Sequence, residues 1–431
     1  MGIVVGLIIL SIMMIVHELG HFLTGRRLGF KIEEFSIFMG PVLFTWERKG
    51  IKYNIKLLPI GASVRFGGEF PEDGQVDTDP THFFNRPKWA RAIVIATGPA
   101  LNLLSGVLAF FIMFSAFGYT LPVIGSIQAD SQAAAAGLKA GDRILKAGGE
   151  PIRTTLDYNS MELFAPAADP VEIVVRQADG TTRTAVLVPS TRPVYRLGIT
   201  IRNDADLGIV VDSVEPGSNG GSPVLKSGDV LLSANGVSVA DMAKFSAAVN
   251  ASAGAPVELE IRRDGQTMTV STATALYQDP LPRGIYFQTS TEILPAINQA
   301  FQWSWSIVKV TIRSIGKMFT GAIRPQDALS GPVGVVSMIS DVVNDEQPLA
   351  DKIYQLLWMF ALISVSLGFM NLLPIPPLDG NHLVLIIIET IRGKPLSVKV
   401  QNLIGMIGIA LIIMLALAGL FFDIMRLTGR S

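Results

Sequence analysis

The chain begins with the apolar run GIVVGLIILSIMMIVHELGHFL, residues 2–23, in which only His17, Glu18 and His21 are ionisable. About 20 apolar residues in an α-helix are enough to cross the hydrocarbon core of a bilayer. Nothing basic precedes His17, and no small-residue cleavage site follows before Arg26, so the run does not fit a cleaved signal peptide. We therefore predict a retained transmembrane helix that carries three ionisable side chains.

Three further apolar runs, residues 92–118, 353–373 and 403–422, predict three more transmembrane helices. Four crossings place both termini on the same side of the membrane. The loop 25–91 is rich in lysine and arginine, and the positive-inside rule places it in the cytoplasm. Residues 119–354 and both termini are then expected on the extracytoplasmic side.

The composition excludes several classes of function. Hydrophobic residues make up 49% of the 431 residues, and the formal net charge of -1 leaves no basic excess for binding nucleic acid. The expected non-protein partner is the lipid bilayer. Cysteine is absent, which excludes disulfides, thiolate nucleophiles and cysteine-based zinc sites. Any metal must be held by carboxylates and by the few histidines.

The segment between the second and third apolar runs contains an internal repeat, formed by residues 136–152 and 224–239. Each copy reads as a Gly-Asp turn, an apolar strand and a second glycine turn, and later strands such as 171–176 and 257–262 follow. Two copies predict two similar β-rich domains. The pattern resembles the bacterial PDZ domain; two spacer domains without ligands are the alternative.

A basic stripe marks the segment that follows the repeat. Lys309, Arg313 and Lys317 are spaced four apart within residues 293–321, so they share one face of a helix. Two interpretations are open. The helix lies along the outer membrane surface, or it is an ordinary solvated amphipathic helix.

The motif His17-Glu18-Leu19-Gly20-His21 fits the pattern H-E-x-x-H. On a helix this spacing brings both imidazoles to one side, where they can bind one cation. Glu18 projects about 100° away from His17 and can reach a water on the metal. Zinc suits these ligands. The alternative, a pair of structural histidines, conflicts with the cost of ionisable groups at membrane depth.

A catalytic zinc usually takes three protein ligands and leaves one position for water. Asp379 is the natural third ligand, because it lies in NLLPIPPLDG, residues 371–380, where prolines end the third apolar helix and Gly380 allows a tight turn. His382 is a weaker candidate. Asp379 as the N-cap of the following helix is the alternative.

Together these motifs resemble the site-2 protease family of intramembrane zinc metalloproteases, most closely its bacterial members with four spans and two tandem PDZ domains. The resemblance covers nearly the whole chain. It implies that His17, His21 and Asp379 bind Zn²⁺ and that Glu18 is catalytic. It also implies substrate-binding roles for Asn371, Phe66, Gly67 and Gly68. Two further segments look like family signatures: Gly98–Asn102 and Ser330–Gly334.

A cleavable transmembrane helix must first be unwound, because its carbonyls are held in internal hydrogen bonds. Residues 51–57 alternate apolar and polar like a strand, and residues 61–68 suit a hairpin that dips into the membrane. The free edge of such a hairpin can pair with substrate. The family resemblance implies the same re-entrant element; a hairpin on the cytoplasmic surface is the alternative.

We therefore expect a multi-pass α-helical membrane protein with four transmembrane helices, a membrane-associated β-hairpin and two tandem extracytoplasmic PDZ-like domains. The expected boundaries are 1–118, 119–195, 196–279, 280–352 and 353–431.

The expected function is an intramembrane zinc metalloprotease of the bacterial inner membrane. Its partners would be single-span membrane proteins, such as an anti-sigma factor or remnant signal peptides, cut after an earlier extracytoplasmic cleavage. The PDZ-like pair would act as a size filter for such substrates. A non-catalytic membrane scaffold and a metal transporter are the alternatives.

Overall fold

The computed structural model describes residues 1–68, 78–164, 169–204, 207–218, 224–240, 242–323, 331–394 and 396–427. The chain divides into two compact units. The first comprises Met1–Pro122, Glu150–Phe164 and Phe287–Ser431, and the second comprises Val123–Gly149 and Ala165–Tyr286.

The helices are α1 (Gly2–Arg27), α2 (Lys88–Phe117), α3 (Gln132–Ala135), α4 (Thr155–Phe164), α5 (Met242–Asn250), α6 (Ile293–Phe319), α7 (Pro332–Asn344), α8 (Leu349–Asn371), α9 (Asp379–Arg392) and α10 (Val398–Leu427). A short 3-10 turn covers Phe83–Asn85. Within the described residues, α1, α2, α8 and α10 are long and apolar enough to cross a membrane. The prediction of four helices long and apolar enough to cross a membrane is therefore confirmed, and each helix begins before or ends after its predicted apolar run.

The strands are β1 (Ile32–Arg48), β2 (Ile51–Phe66), β3 (Tyr119–Ile127), β4 (Arg143–Ala147), β5 (Glu150–Pro151), β6 (Val171–Arg176), β7 (Thr182–Leu187), β8 (Thr191–Arg196), β9 (Ile199–Asp204), β10 (Gly208–Val214), β11 (Val230–Ala234), β12 (Val237–Ser238), β13 (Val257–Arg263), β14 (Gln266–Thr272), β15 (Ala275–Pro280) and β16 (Ile285–Ser290).

Helix α2 packs against both α1 and α8, at positions where glycine lets the backbones come close. A Cβ on Gly20 of α1 would lie 2.4 Å from the carbonyl oxygen of Thr97. A Cβ on Gly368 of α8 would lie 2.8 Å from the carbonyl oxygen of Pro99. Small residues of this kind are typical of packed transmembrane helices. These contacts fix α1 and α8 on the same central helix.

Strands β1 and β2 are long and bend, so their pairing falls into separate sets. Residues 42–48 pair with 51–56, and residues 32–37 pair with 62–66 as well as with 52–55. The alternation at 51–57 predicts part of β2, whereas no pattern in the sequence indicated its partner β1 at 32–48.

The second half of β2 runs beside α1. The hydroxyl of Ser11 donates a hydrogen bond to the carbonyl of Pro59 at 2.7 Å. Further along, the backbone N–H of Val64 donates to Oε2 of Glu18 at 3.0 Å. The edge of the hairpin sheet is thereby held against the helix that carries the H-E-x-x-H motif.

Two sheets account for the repeated segment. One has the strand order β16-β3-β4-β6-β7, and the other has β14-β13-β11-β10-β9 with β12 beside β11. Strand β16, at one edge of the first sheet, follows all strands of the second sheet in sequence. The residues that form the second sheet are therefore an insertion within the chain of the first sheet. Strands β8 and β15 pair at the two ends of that insertion. Strand β16 lies within residues 280–352, which the sequence suggested would be helical, and the domain boundaries predicted from the sequence stay predictions.

The repeat forms the same turn twice. Oδ2 of Asp142 accepts the N–H of Lys139 at 3.0 Å, and Oδ2 of Asp229 accepts the N–H of Lys226 at 2.8 Å. Only the second copy adds Arg263, which donates to both Asp229 oxygens at 2.6 Å. Burial alone would raise the pKa of Asp229, but these hydrogen bonds from Arg263 and from the backbone hold that pKa below its usual value.

Helix α6 uses its basic face in contacts within the first unit. Lys309 forms an ion pair with Asp157 at 2.7 Å, and Arg313 forms one with Glu150 at 2.8 Å. The same helix also exposes an apolar side chain, Trp305, which is 54% exposed. The interpretation of α6 as an ordinary helix with a solvated basic face is therefore incomplete, because two of its cations are paired.

Candidate metal centre

Three side chains predicted from the sequence converge on one point. Nε2 of His17 and Nε2 of His21 are 3.2 Å apart. Oδ2 of Asp379 lies 3.0 Å from Nε2 of His17 and 3.5 Å from Nε2 of His21. These side chains form a group that could hold a metal ion. Residues from opposite ends of the chain are thus brought together as expected.

The spacing of these atoms fits a tetrahedral zinc ion. Ligands about 2.0–2.1 Å from a tetrahedral zinc lie about 3.3 Å from one another, which is close to the three distances observed. Oδ2 of Asp379 is buried and has no hydrogen-bond geometry with any described donor. Two imidazole nitrogens and one carboxylate oxygen are a common ligand set for catalytic zinc.

Asp379 is placed by the turn between α8 and α9. It is the first residue of α9, and the N-cap position belongs to Leu378 rather than to Asp379. A Cβ on Gly380 would lie 2.2 Å from the carbonyl oxygen of Leu372, so only glycine fits where α9 starts against the end of α8. The sequence expectation that Gly380 permits a tight turn agrees with this contact.

An ion pair fastens α9 to α2. Arg91, which is buried, donates to both carboxylate oxygens of Glu389 at 2.9 and 2.8 Å. Lys88 adds a hydrogen bond to the Glu389 carbonyl at 3.1 Å. Hydrogen bonds from a guanidinium to a carboxylate are charge-assisted and are among the stronger ones in proteins. The helix that begins with Asp379 therefore has a fixed position on α2.

His21 is oriented by α2. Its Nδ1 lies 2.8 Å from the carbonyl oxygen of Val94, which can accept the Nδ1 hydrogen and leave Nε2 free for a metal. The ring lies directly on Gly98, where a Cβ would be 2.3 Å from Nε2. Gly98 was noticed in the sequence as part of a signature without a role, and the structure supplies one.

The remaining predicted residues fall into two groups. Nδ2 of Asn371 lies 3.4 Å from Nδ1 of His17, so Asn371 is at the metal centre. The ring of Phe66 is buried and packs on Phe30 and Phe83, with ring centroids 5.7 and 5.6 Å away. Gly67 donates its N–H to the carbonyl of Lys31 at the base of the hairpin.

The contacts described for Phe66 and Gly67 are with the residues just before β1 and with the 3-10 turn, and Gly68 follows them in the left-handed region at φ 72°. A substrate-binding role for these three residues stays a prediction. His382 is exposed and is not part of the cluster of three.

Comparison with known proteins agrees with this geometry. Residues 5–415 match the family model described as Peptidase family M50. A Salmonella typhi protein named regulator of sigma E protease is 30% identical over 450 residues, which cover 98% of each chain. Escherichia coli K12 has a regulator of sigma-E protease, RseP, that is 29% identical over 452 residues, again 98% of each chain.

A Neisseria meningitidis protein with the provisional name zinc metalloprotease is 30% identical over 446 residues, which cover 97% of each chain. The family match and these full-length relatives extend over the four apolar helices and both halves of the metal centre. The chain therefore belongs to peptidase family M50 and is a metalloprotease of the site-2 type.

Proposed function

We propose that this protein is a zinc endopeptidase of the bacterial inner membrane that cuts the transmembrane segments of single-span proteins. The observation that carries the proposal is the convergence of His17, His21 and Asp379 on an apolar helix long enough to cross a membrane. Relatives named for the regulation of sigma E favour an anti-sigma factor as substrate. Remnant signal peptides are a second substrate class of the same chemistry.

Glu18 is the general base of the proposed reaction. A bound zinc ion supplies Lewis-acid chemistry that activates a water and polarises the scissile carbonyl. Glu18 takes a proton from that water as the new C–O bond forms, and it returns a proton to the amine as the C–N bond breaks. The hydrogen bond from the N–H of Val64 holds the Glu18 carboxylate in one orientation.

The outer edge of β2 is the proposed docking strand for substrate. Val64 lies opposite Phe35 of β1, yet its N–H points away from β1 to Glu18. Alternate residues of an antiparallel pair point their backbone groups outward, so Ala62 and Val64 present theirs on the side of α1. An extended substrate that pairs with this edge would lie beside the catalytic glutamate.

The side chains of the hairpin support its insertion into the membrane. The bends near Ser11 expose apolar groups, among them Val42 at 50% and Leu58 at 53%. The opposite end carries exposed cations such as Lys49 and Lys52. An apolar end beside the middle of α1 and a basic end beyond it are what a re-entrant hairpin requires, whereas a hairpin on the surface would expose polar groups throughout.

The two repeated sheets are the proposed PDZ-like domains. Each has the shared aspartate turn and one helix, α4 or α5, in the same place in the strand sequence. We assign them to the periplasmic side, where they would exclude substrates whose outer domain has not yet been removed.

The variant Glu18→Gln separates proteolysis from the alternatives. A protease loses cleavage of a model transmembrane segment while it keeps stoichiometric zinc, because the substituted carboxamide still fills the site but cannot take a proton. The matched control is Glu172→Gln, which changes an exposed carboxylate of β6. Full cleavage by Glu18→Gln would contradict the role of Glu18 as general base, whereas a wild-type protein that cleaves no transmembrane segment would favour a scaffold or a transporter.

A further inference from the structure

The second nitrogen of His17 faces two carboxamides. Nδ2 of Asn102 on α2 and Nδ2 of Asn371 on α8 each lie 3.4 Å from Nδ1 of His17. Sequence reasoning linked Asn371 to substrate and gave Asn102 no role beyond its place in a signature.

The single hydrogen on Nδ1 of His17 can be donated to only one of these two carboxamides. When Nε2 of a neutral imidazole faces a metal, Nδ1 carries the ring hydrogen and needs an acceptor. For His21 that acceptor is the carbonyl of Val94. For His17, one amide oxygen can fill the same role, and the other amide is left without a partner on this ring.

Burial distinguishes the two amides. Asn102 is fully buried, at 0% exposure, and its Oδ1 has no hydrogen-bond partner among the described residues. Asn371 is partly exposed. A half-turn of the Asn102 carboxamide about its Cβ–Cγ bond exchanges Oδ1 and Nδ2, which places the orphaned acceptor against Nδ1 of His17. Once Nδ1 carries hydrogen, Nδ2 at this position would set a donor against a donor, so the exchange that brings Oδ1 there is favoured.

The backbone of Asn102 is also held in place. The hydroxyls of Ser105 and Ser364 donate to its carbonyl oxygen at 2.9 and 3.0 Å. The two hydroxyls are 2.7 Å apart and join α2 to α8. The side chain of Asn102 therefore projects from a point that is fixed on two helices.

We propose that Asn102 is the positioning residue of the metal centre: its Oδ1 accepts the Nδ1 hydrogen of His17 and thereby fixes both the tautomer and the direction of that ring. Asn371 is then left free to bond substrate. The inference rests on the proposed zinc site and adds to it a residue that does not touch the ion.

The test is a chelator titration of the purified full-length protein, with zinc retention as the readout. Asn102→Leu removes the acceptor at similar volume, and we expect zinc affinity to fall about 10- to 100-fold, as is usual for loss of such a partner. Asn102→Asp keeps an acceptor and should stay within about threefold of wild type. Asn371→Leu should leave zinc affinity unchanged.

A second measurement excludes a merely structural effect. Ser105→Ala perturbs the same helix contact but not the acceptor, so its zinc affinity should match wild type. Without zinc, Asn102→Leu should unfold close to the wild-type temperature, because the two side chains have similar volumes and the site is buried. Only the increase of the unfolding temperature on adding zinc should shrink.

Three outcomes would overturn the inference: wild-type zinc affinity in Asn102→Leu, an equal loss in Ser105→Ala, or an equal loss in Asn371→Leu. A wild-type protein that binds no zinc would instead overturn the proposed function itself. The two failures are therefore distinguishable in one set of titrations.

Discussion

Gly98 determines whether His21 can face the metal centre. A methyl group there would lie 2.3 Å from Nε2 of His21, too close for any non-bonded contact. We predict that Gly98→Ala displaces the ring and lowers zinc affinity by about tenfold or more. Zinc content of the purified variant, determined by mass spectrometry, is the measurement.

The matched control for that variant is Gly405→Ala in α10, where, apart from the neighbouring backbone of the same helix, no atom of the described residues lies within 4 Å of the added methyl group. This change should leave zinc content at the wild-type value, since alanine favours helix over glycine. Zinc binding by Gly98→Ala at wild-type affinity would show that His21 does not occupy the position described.

The ion pair of Asp229 with Arg263 makes the second sheet sensitive to acid. Because the folded-state pKa of Asp229 is lowered, the pair stabilises the fold above the usual aspartate pKa of about 3.9, and the contribution disappears as pH falls through the folded-state pKa. Asp229→Asn should cost on the order of 2 kcal/mol at neutral pH and progressively less below about pH 4.

The measurement is hydrogen exchange of the β13 amides. Asp229→Asn and wild type, both without zinc, are compared at each pH. Glu258→Gln, an exposed change on the same strand, is the control and should have little effect. A cost that grows as pH falls would contradict the assigned direction of the pKa shift.

Local spacing explains why part of the centre was predictable residue by residue. His17, Glu18 and His21 lie on one helix, so their arrangement follows from the 3.6-residue turn. Asp379 could be predicted from the chemistry of a third ligand and the prolines before it. The role of Gly98, and the place of Asn102 beside His17, depend on how α2 packs on α1, which no local pattern contains.

Among the elements, the hairpin edge makes the clearest prediction. Val64→Pro removes the N–H that holds Glu18, and proline is tolerated on an edge strand when its missing N–H points away from the sheet. We predict that cleavage falls about tenfold or more while zinc binding is retained. Cleavage of a model transmembrane segment and zinc content are measured on the same preparation.

Val64→Thr is the control, because it changes the side chain and keeps the N–H. It should cleave at a rate close to wild type. Equal cleavage by the proline and threonine variants would argue against any role of the β2 edge at the catalytic glutamate.

The four apolar helices could be predicted from the sequence because each is a single apolar run. Such a run, as a helix, is long enough to cross the hydrocarbon core of a bilayer. The sheets could be predicted only in part. Residues 32–48 pair with several segments of β2, and β16 joins a sheet that begins at residue 119. Pairing between distant strands is set by register and burial across the fold, which the alternation within one strand does not reveal.

At the scale of the whole molecule, the inserted second sheet allows a precise test of the size filter. Arg196 and Ala275 are paired across β8 and β15, so residues 197–274 can be replaced by an Asn-Gly turn without breaking that ribbon. We predict that this deletion allows cleavage of a substrate that still carries its outer domain. Cleavage of trimmed and untrimmed substrate is followed in membranes.

The same deletion combined with Glu18→Gln should cleave neither substrate, which ties any new activity to the metal centre. If the protein without residues 197–274 still cleaves only trimmed substrate, the second sheet does not act as a size filter.

The most direct test of the whole account is the zinc content of the purified protein, measured for wild type, His17→Ala, Asp379→Asn and His382→Ala. The account predicts one zinc per chain in wild type and in His382→Ala, and loss of zinc in the other two, because His17 and Asp379 belong to the converging set and His382 does not. Full zinc in Asp379→Asn, or loss in His382→Ala, would contradict it.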